Sequence, residues 1–245
     1  MSTRDLDKEH QDVPERKYAY DFDGVLRRFM MRAFLPFVPP GRALELGSYR
    51  GEFTEILARH FDDLTVVEGA TELVEATQAR VGPRVRCLHS TFEAFTPSAG
   101  FDSVFLVHTL EHSDDAVGLL RRIGGWLSPA GRLFVAVPNA SAPSRQIAVK
   151  MGLIAHNAAV TEGESKHGHR VTYSFDTLER DARAAGLAVL HRGGVFFKAL
   201  ANYQFDEAMA KGIVSDGYLE GCYQLGMQYP ELCASIFLVC GRGPA

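Results

Sequence analysis

A chain of 245 residues with 46% hydrophobic and 23% charged residues has the make-up of one large folded domain, which excludes wholesale disorder. Its formal net charge of −4 supplies no basic field for a nucleic-acid backbone, and the apolar stretches at 29–40 and 104–110 are too short to span a bilayer. Cys87, Cys222, Cys233 and Cys240 form no Cys-x-x-Cys pair, and the polar start of the chain lacks a secretion signal, so reduced thiols and a cytoplasmic location are expected.

Residues 1–22 read as a flexible N-terminal arm, and 23–245 as a single domain. In 24–38 the apolar residues Val25, Leu26, Phe29, Met30, Phe34 and Leu35 recur at helical spacing until Pro39-Pro40-Gly41 stops the helix. Apolar strands at 43–46, 64–68, 85–88, 101–107 and 131–137 then alternate with helices starting near Gly51, Thr71 and Asp114. Strands separated by single helices predict a doubly wound, Rossmann-like α/β sheet, because a parallel neighbour needs a long return path. Such sheets bind ligands at the carboxyl ends of their strands. Regularity breaks at about 138–170, an insertion with one short helix and the close pair His167 and His169. A helix with Ser174 as N-cap spans 174–185, and a strand follows at 188–197. A second insertion, about 198–232, reads as one helix over 202–228 interrupted by Gly212, Gly217, Gly221 and Gly226; a final strand spans 234–240.

The first strand ends in Leu44-Glu45-Leu46-Gly47-Ser48-Tyr49-Arg50-Gly51. Glycines there permit positive φ and close ligand approach, and the free amides of the next helix suit an electron-rich group. Glu68 ends the second strand, where a carboxylate accepts the hydroxyls of a ribose. A nucleoside ligand follows. A dinucleotide site wants Gly-x-Gly-x-x-Gly, whereas here the glycines stand four apart and Tyr49 fills a position that pattern keeps small.

With these motifs the sequence resembles the class I S-adenosylmethionine-dependent methyltransferases, in particular a small-molecule branch with a Leu-Glu-His segment after the fourth strand, here Leu110-Glu111-His112. The resemblance covers about residues 40–195, with Tyr49 replacing the middle glycine of the family's first motif. It implies a seven-stranded sheet, mostly parallel with an antiparallel last strand, plus helical insertions. It also implies that Glu45 and Gly47 lie along the methionine part of S-adenosylmethionine, that Ser48 and Gly51 belong to the same cofactor-binding loop, that Glu68 binds the ribose, and that Gly69 and Ala70 flank the adenine. His89-Ser90-Thr91-Phe92-Glu93 resembles the adenine-edge segment, with Thr91 where an aspartate is common, so the Phe92 amide would meet the base. Val107 and His108 would lie beside the sulfonium.

Methyl transfer is an in-line displacement for which the protein supplies alignment, a dry site and, for a hydroxyl or ammonium acceptor, a base. His112 and His169 are the candidate catalytic bases, against the plainer reading of hydrogen-bonded structural histidines; His10 and His60 fall at surface positions. Glu111, His112, Asp114 and Asp115 with His167 and His169 lack a strong ligand spacing, and Asp114-Asp115 suit a helix start, so no metal is expected. Lys198 and Asn202 are placed to meet an anionic or hydroxylated acceptor, unless the lysine is a solvated charge. The aromatic and Met residues of the second insertion line an acceptor pocket or, more in keeping with their helical spacing, a core or subunit interface. The expected activity is methylation of oxygen or nitrogen on a small molecule, by a chain that binds neither nucleic acid nor membrane and whose apolar segment suits a homodimer. A nicotinamide-dependent oxidoreductase and a cofactor-binding protein without turnover are the alternatives.

Overall fold

A computed structural model describes residues 6, 7 and 20–243. Helix α1 (Asp21–Phe34) starts earlier than its apolar spacing predicts. Phe22, expected to end the arm, is fully buried and stacks on Phe205 with ring centroids 4.3 Å apart. Aromatic pairing of this kind adds about 0.5–1.5 kcal/mol to the burial itself. The first-turn amides of α1 find a carboxylate far along the chain: Asp206 accepts from Asp21 at 3.3 Å and Phe22 at 2.9 Å.

Seven strands follow, with the helices between them: β1 (Ala43–Leu46), α2 (Glu52–Leu57), β2 (Leu64–Glu68), α3 (Thr71–Val81), β3 (Arg86–His89), β4 (Phe101–Val107), α4 (Ala116–Trp126), β5 (Leu127–Pro138), α5 (Pro143–Lys150), α6 (Glu162–Lys166), α7 (Phe175–Ala184), β6 (Leu187–Phe197), α8 (Asn202–Ala210), α9 (Asp216–Gln228) and β7 (Cys233–Arg242). They form one sheet in the order β3-β2-β1-β4-β5-β7-β6. Pairings among β1 to β5 are parallel, and β7 runs antiparallel to both β5 and β6. The expected seven-stranded, mostly parallel sheet is therefore present.

Alternation along each strand divides the core between the two faces of the sheet. Ala43, Phe105, Phe134 and Phe237 point toward α1, α2 and α9, whereas Leu44, Leu106, Val135 and Leu238 meet Leu120, Trp126 and Leu178 on α4 and α7. Strand order reverses between β1 and β4, the switch point at which open α/β sheets leave a crevice above their carboxyl ends.

Two expectations are corrected. The single helix over 202–228 is two helices, because Gly212 takes a left-handed φ of 66° after α8 and Ser215 starts α9 by accepting from the Tyr218 amide. The first insertion holds two short helices, α5 and α6, instead of one. Among the described residues no helix is long and apolar enough to cross a membrane.

Candidate active site

Loop 47–51 leaves β1 through Gly47, whose φ is 79°; a Cβ added there would lie 2.7 Å from Thr109 Oγ1 at the end of β4. Thr109 in turn donates to the Leu46 carbonyl, which ties the two strand ends together at the switch point. Tyr49 also takes a positive φ, 52°, and Gly51 at 80° caps α2.

The loop amides do not wait for a ligand. One oxygen of Glu68 accepts from the Ser48 and Tyr49 amides at 2.9 and 3.1 Å, and the other accepts from Gly69 and Ala70 at 2.7 and 3.2 Å. A carboxylate offers about four lone-pair directions, so Glu68 locks two strand-end loops to each other. Ser48 turns its hydroxyl to Thr77 at 2.9 Å, away from the loop's open side.

Glu45 is 2% exposed and accepts from the Thr54 hydroxyl at 2.6 Å. Burial pushes its carboxyl up to about 8, so it is mostly protonated at neutral pH. On the opposite side, His89 reaches the Gly69 carbonyl at 2.9 Å, and the Thr91 hydroxyl accepts the Ala94 amide. Leu6 lies against Gly69, and Asp7 accepts from the Thr71 amide at 2.6 Å, so two residues of the expected arm meet this part of the site. His10 lies outside the described residues.

β4 ends in His108, held at a positive φ of 51°, with its ring 2.9 Å from the Ser235 hydroxyl. Burial drives its pKa down to about 3, so it stays uncharged and does not repel a cation. The next turn is the 3-10 segment Leu110–His112, after which Asp115 caps α4 by accepting from the Gly118 amide, as the acidic pair predicts.

His169 reaches this turn from the first insertion. Arg145 pairs with Glu164 on α6, and the Glu164 carbonyl accepts the His169 amide at 3.0 Å. The Arg170 amide then donates to the Glu111 carbonyl at 2.7 Å, and its guanidinium meets Asp114 at 2.8 Å. The rings of His112 and His169 stand edge to face with centroids 4.6 Å apart. Burial pulls His169 below the ordinary histidine value. Glu111 between them is 1% exposed, and burial raises its carboxyl to about 8.

A third polar group closes the site. Lys198 donates to Asn202, which donates to Asp23 at 2.8 Å. Lys198 is half-buried rather than a solvated surface charge, and desolvation lowers its pKa to about 8.

These groups share one cleft of about 2050 Å³. That is well above the roughly 300–1,000 Å³ of a usual small-molecule pocket, leaving room for a nucleoside donor and a second molecule. Its walls include Glu45, Gly47, Ser48, Glu68, Gly69, Thr91, Phe92, Val107, His108, His112 and His169. Gly51 does not line the cleft, because it sits behind the loop against Thr77. Nor do the second insertion's aromatic and Met residues: Phe205 and Tyr223 are core, as is Phe196 of β6, while Tyr203, Tyr218, Met227 and Tyr229 are exposed. Sequence reasoning missed Arg27, Asp23, Arg145, Asn139 and Ser235 on the cleft wall. Glu68, Gly69 and Phe92 line one part of this cleft, and Glu45 and the uncharged His108 line it as well.

A family profile for a methyltransferase domain matches residues 18–192. The ubiquinone biosynthesis O-methyltransferase of Sinorhizobium fredii is 27% identical over 198 residues, which cover 79% of this chain and 78% of that protein. The trans-aconitate 2-methyltransferase of Methylobacterium radiotolerans is 29% identical over 118 residues, covering 47% of this chain and 45% of that protein. Among solved structures, the N-methyltransferase NodS of Bradyrhizobium japonicum in complex with S-adenosylhomocysteine superposes with a TM-score of 0.60 at 16% identity, over 97% of each chain. The chain belongs to the class I S-adenosylmethionine-dependent methyltransferases. The nicotinamide reading and that of a binding protein without turnover are not favoured.

Proposed function

We propose that this methyltransferase acts on an oxygen or nitrogen of a small-molecule acceptor, with oxygen preferred, and that His112 or His169 takes the acceptor's proton. The observation that carries the proposal is the edge-to-face histidine pair beside the end of β4, on the wall of the same cleft that holds Glu68. S-adenosylmethionine supplies a methyl group already activated by its sulfonium. The protein's part is alignment and, for a hydroxyl or ammonium, proton acceptance. His169 suits that part because burial keeps its imidazole neutral at physiological pH. Glu45, Gly47, Ser48, Glu68, Gly69, Thr91, Phe92, Val107 and His108 are the proposed donor-side residues, with Gly51 shaping the loop from behind. A ribose reaching Glu68 would share its oxygens with the four amides already bound there.

A small acceptor accords with relatives named for ubiquinone biosynthesis and trans-aconitate, and with a net charge of −4, which offers nucleic acid no attraction. Exposed Tyr203, Ile213, Tyr218, Met227 and Tyr229 around α8 and α9 support a homodimer, in a chain we assign to the cytoplasm. The test is a screen of phenols, hydroxy acids, carboxylic acids and amines for S-adenosylhomocysteine release. His112→Ala and His169→Ala should each lower turnover far more than S-adenosylhomocysteine affinity. Unchanged turnover in both removes the histidine base, and binding of NAD in place of S-adenosylhomocysteine removes the donor reading.

A further inference from the structure

The Leu110–His112 turn carries a buried acid. Glu111 is 1% exposed, and among the described residues neither of its carboxyl oxygens finds a hydrogen-bond partner outside Glu111 itself. Buried carboxyl groups are otherwise hydrogen-bonded or paired, because removing them from water without a partner is unfavourable. Among the described residues no arginine or lysine is paired with it: Arg170 goes to Asp114, and Arg145 to Glu164. What faces it instead is imidazole. One ligand atom each from Glu111, His112 and His169 lie within 4.8 Å of one another.

We infer that Glu111, His112 and His169 form a binding site for a divalent first-row transition ion on the wall of the methyl-transfer cleft. Two neutral nitrogens and one carboxylate oxygen are the donor set that zinc-class ions take in open sites, where three protein ligands leave a coordination position for a small molecule. Magnesium prefers an all-oxygen shell, so two imidazoles select against it. A cation here gives Glu111 the partner that the fold withholds. It also accounts for the arrangement around His169. The Arg170 amide is bonded to the carbonyl of Glu111 itself, and Gly168 at φ 84° brings backbone so close that an added Cβ would touch His112 Nδ1 at 3.4 Å. Both fasten the insertion onto the turn that supplies the other two ligands. These residues show no strong ligand spacing because one ligand arrives from a separate segment; the linking pair Asp114 and Arg170 is 56 residues apart. The inference rests on the methyl-transfer reading for the site's purpose: in the metal-free protein the two histidines are the proton acceptors proposed above, and with the ion bound they are its ligands.

The test uses the full chain, dialysed against chelator and titrated with Co²⁺, whose visible absorption reports low-coordinate nitrogen and oxygen ligation; Zn²⁺ then competes. One equivalent should bind and colour the protein. Loss even of an outer-shell partner costs roughly 10–100-fold in metal affinity, so Glu111→Gln and His169→Ala should each weaken binding by about 100-fold or more. His169 lies on the insertion, so His169→Ala decides the matter if Glu111→Gln fails to fold. The site is overturned if wild type binds no stoichiometric Co²⁺, or if both folded variants bind it as wild type does. S-adenosylhomocysteine affinity, read in the same chelated protein, tracks the methyl-transfer reading separately. Retained affinity without bound cobalt overturns only the metal site.

Discussion

Replacing Glu68 by Gln tests whether that carboxylate organises the protein or only meets ligand. Its two oxygens accept four backbone amides, two from loop 47–51 and two from the start of α3. Gln keeps one oxygen and turns an NH₂ toward the other amide pair, so two donors lose their acceptor and face a donor. Each buried donor left unsatisfied costs about 1–3 kcal/mol. Glu68 is only half-buried, so water recovers part of this, and about 2–4 kcal/mol is the expected loss. A chain of 245 residues has an unfolding entropy of about 0.5 kcal/mol/K. Calorimetry should then show a Tm lower by roughly 4–8 °C with no ligand present. S-adenosylhomocysteine affinity, by titration calorimetry, should fall as well, because the loop that frames the donor is loosened. An unchanged Tm with weakened ligand binding would refute the locking role and leave Glu68 as a ligand group alone.

Gly47→Ala adds about 1–2 kcal/mol of left-handed backbone strain and drives a methyl against Thr109, so Tm should fall by roughly 2–4 °C, and Thr109→Ala should relieve the steric share. Glu45 has its pKa raised by burial from the ordinary 4.5 to about 8; the stability it confers is therefore complete below 4.5 and lost as pH rises to about 8, at up to about 1.4 kcal/mol per unit. Glu45→Gln should flatten part of the fall in Tm between pH 5 and 8, and an unaltered slope would count against a buried acid there. Lys198→Met should raise KM for anionic acceptors roughly tenfold or more with a smaller change in kcat. Because Lys198 titrates near 8, wild-type KM for those acceptors should climb above that pH, and identical behaviour of neutral acceptors would refute an ionic role. If His169 is the base, burial places the midpoint of the acid-side fall in rate below the ordinary histidine value of 6.5; a midpoint above 6.5 would exclude it.

Most of the scaffold was legible because its signals are local. Strands 43–46, 64–68 and 101–107 begin and end where their apolar runs do, since a parallel sheet covered on both faces demands continuous burial. Ser174 and Asp115 could be read as helix starts for the same reason: a cap is chemistry within four residues. The glycine turn and the acidic strand end were likewise legible as neighbours at the carboxyl edge of the sheet, and both line the cleft. What resisted reading depends on distant partners. The early start of α1 is set by Phe205 and Asp206, the depression of Lys198 by the cleft around it, and the meeting of His169 with Glu111 by Arg170, Glu164 and Arg145. Burial of Glu111 without a donor leaves no trace in sequence at all, because Leu-Glu-His reads the same whether its glutamate is solvated or not.

The cap that Asp206 places on α1 sets a schedule for biosynthesis. Phe22 and its acceptor are 184 residues apart, and a ribosome adds about 5–20 residues per second. For roughly 10–40 s the first helix exists with open amides and with Phe22, Met30 and Phe34 uncovered, while the sheet they belong on is still being made. The nascent chain thus presents a sticky amphipathic segment while residues 23–205 are added, an interval in which a chaperone would find it. The aromatic core around Phe22, Phe196 and Phe205 closes only after the loop of β1 and the acidic end of β2 have been translated.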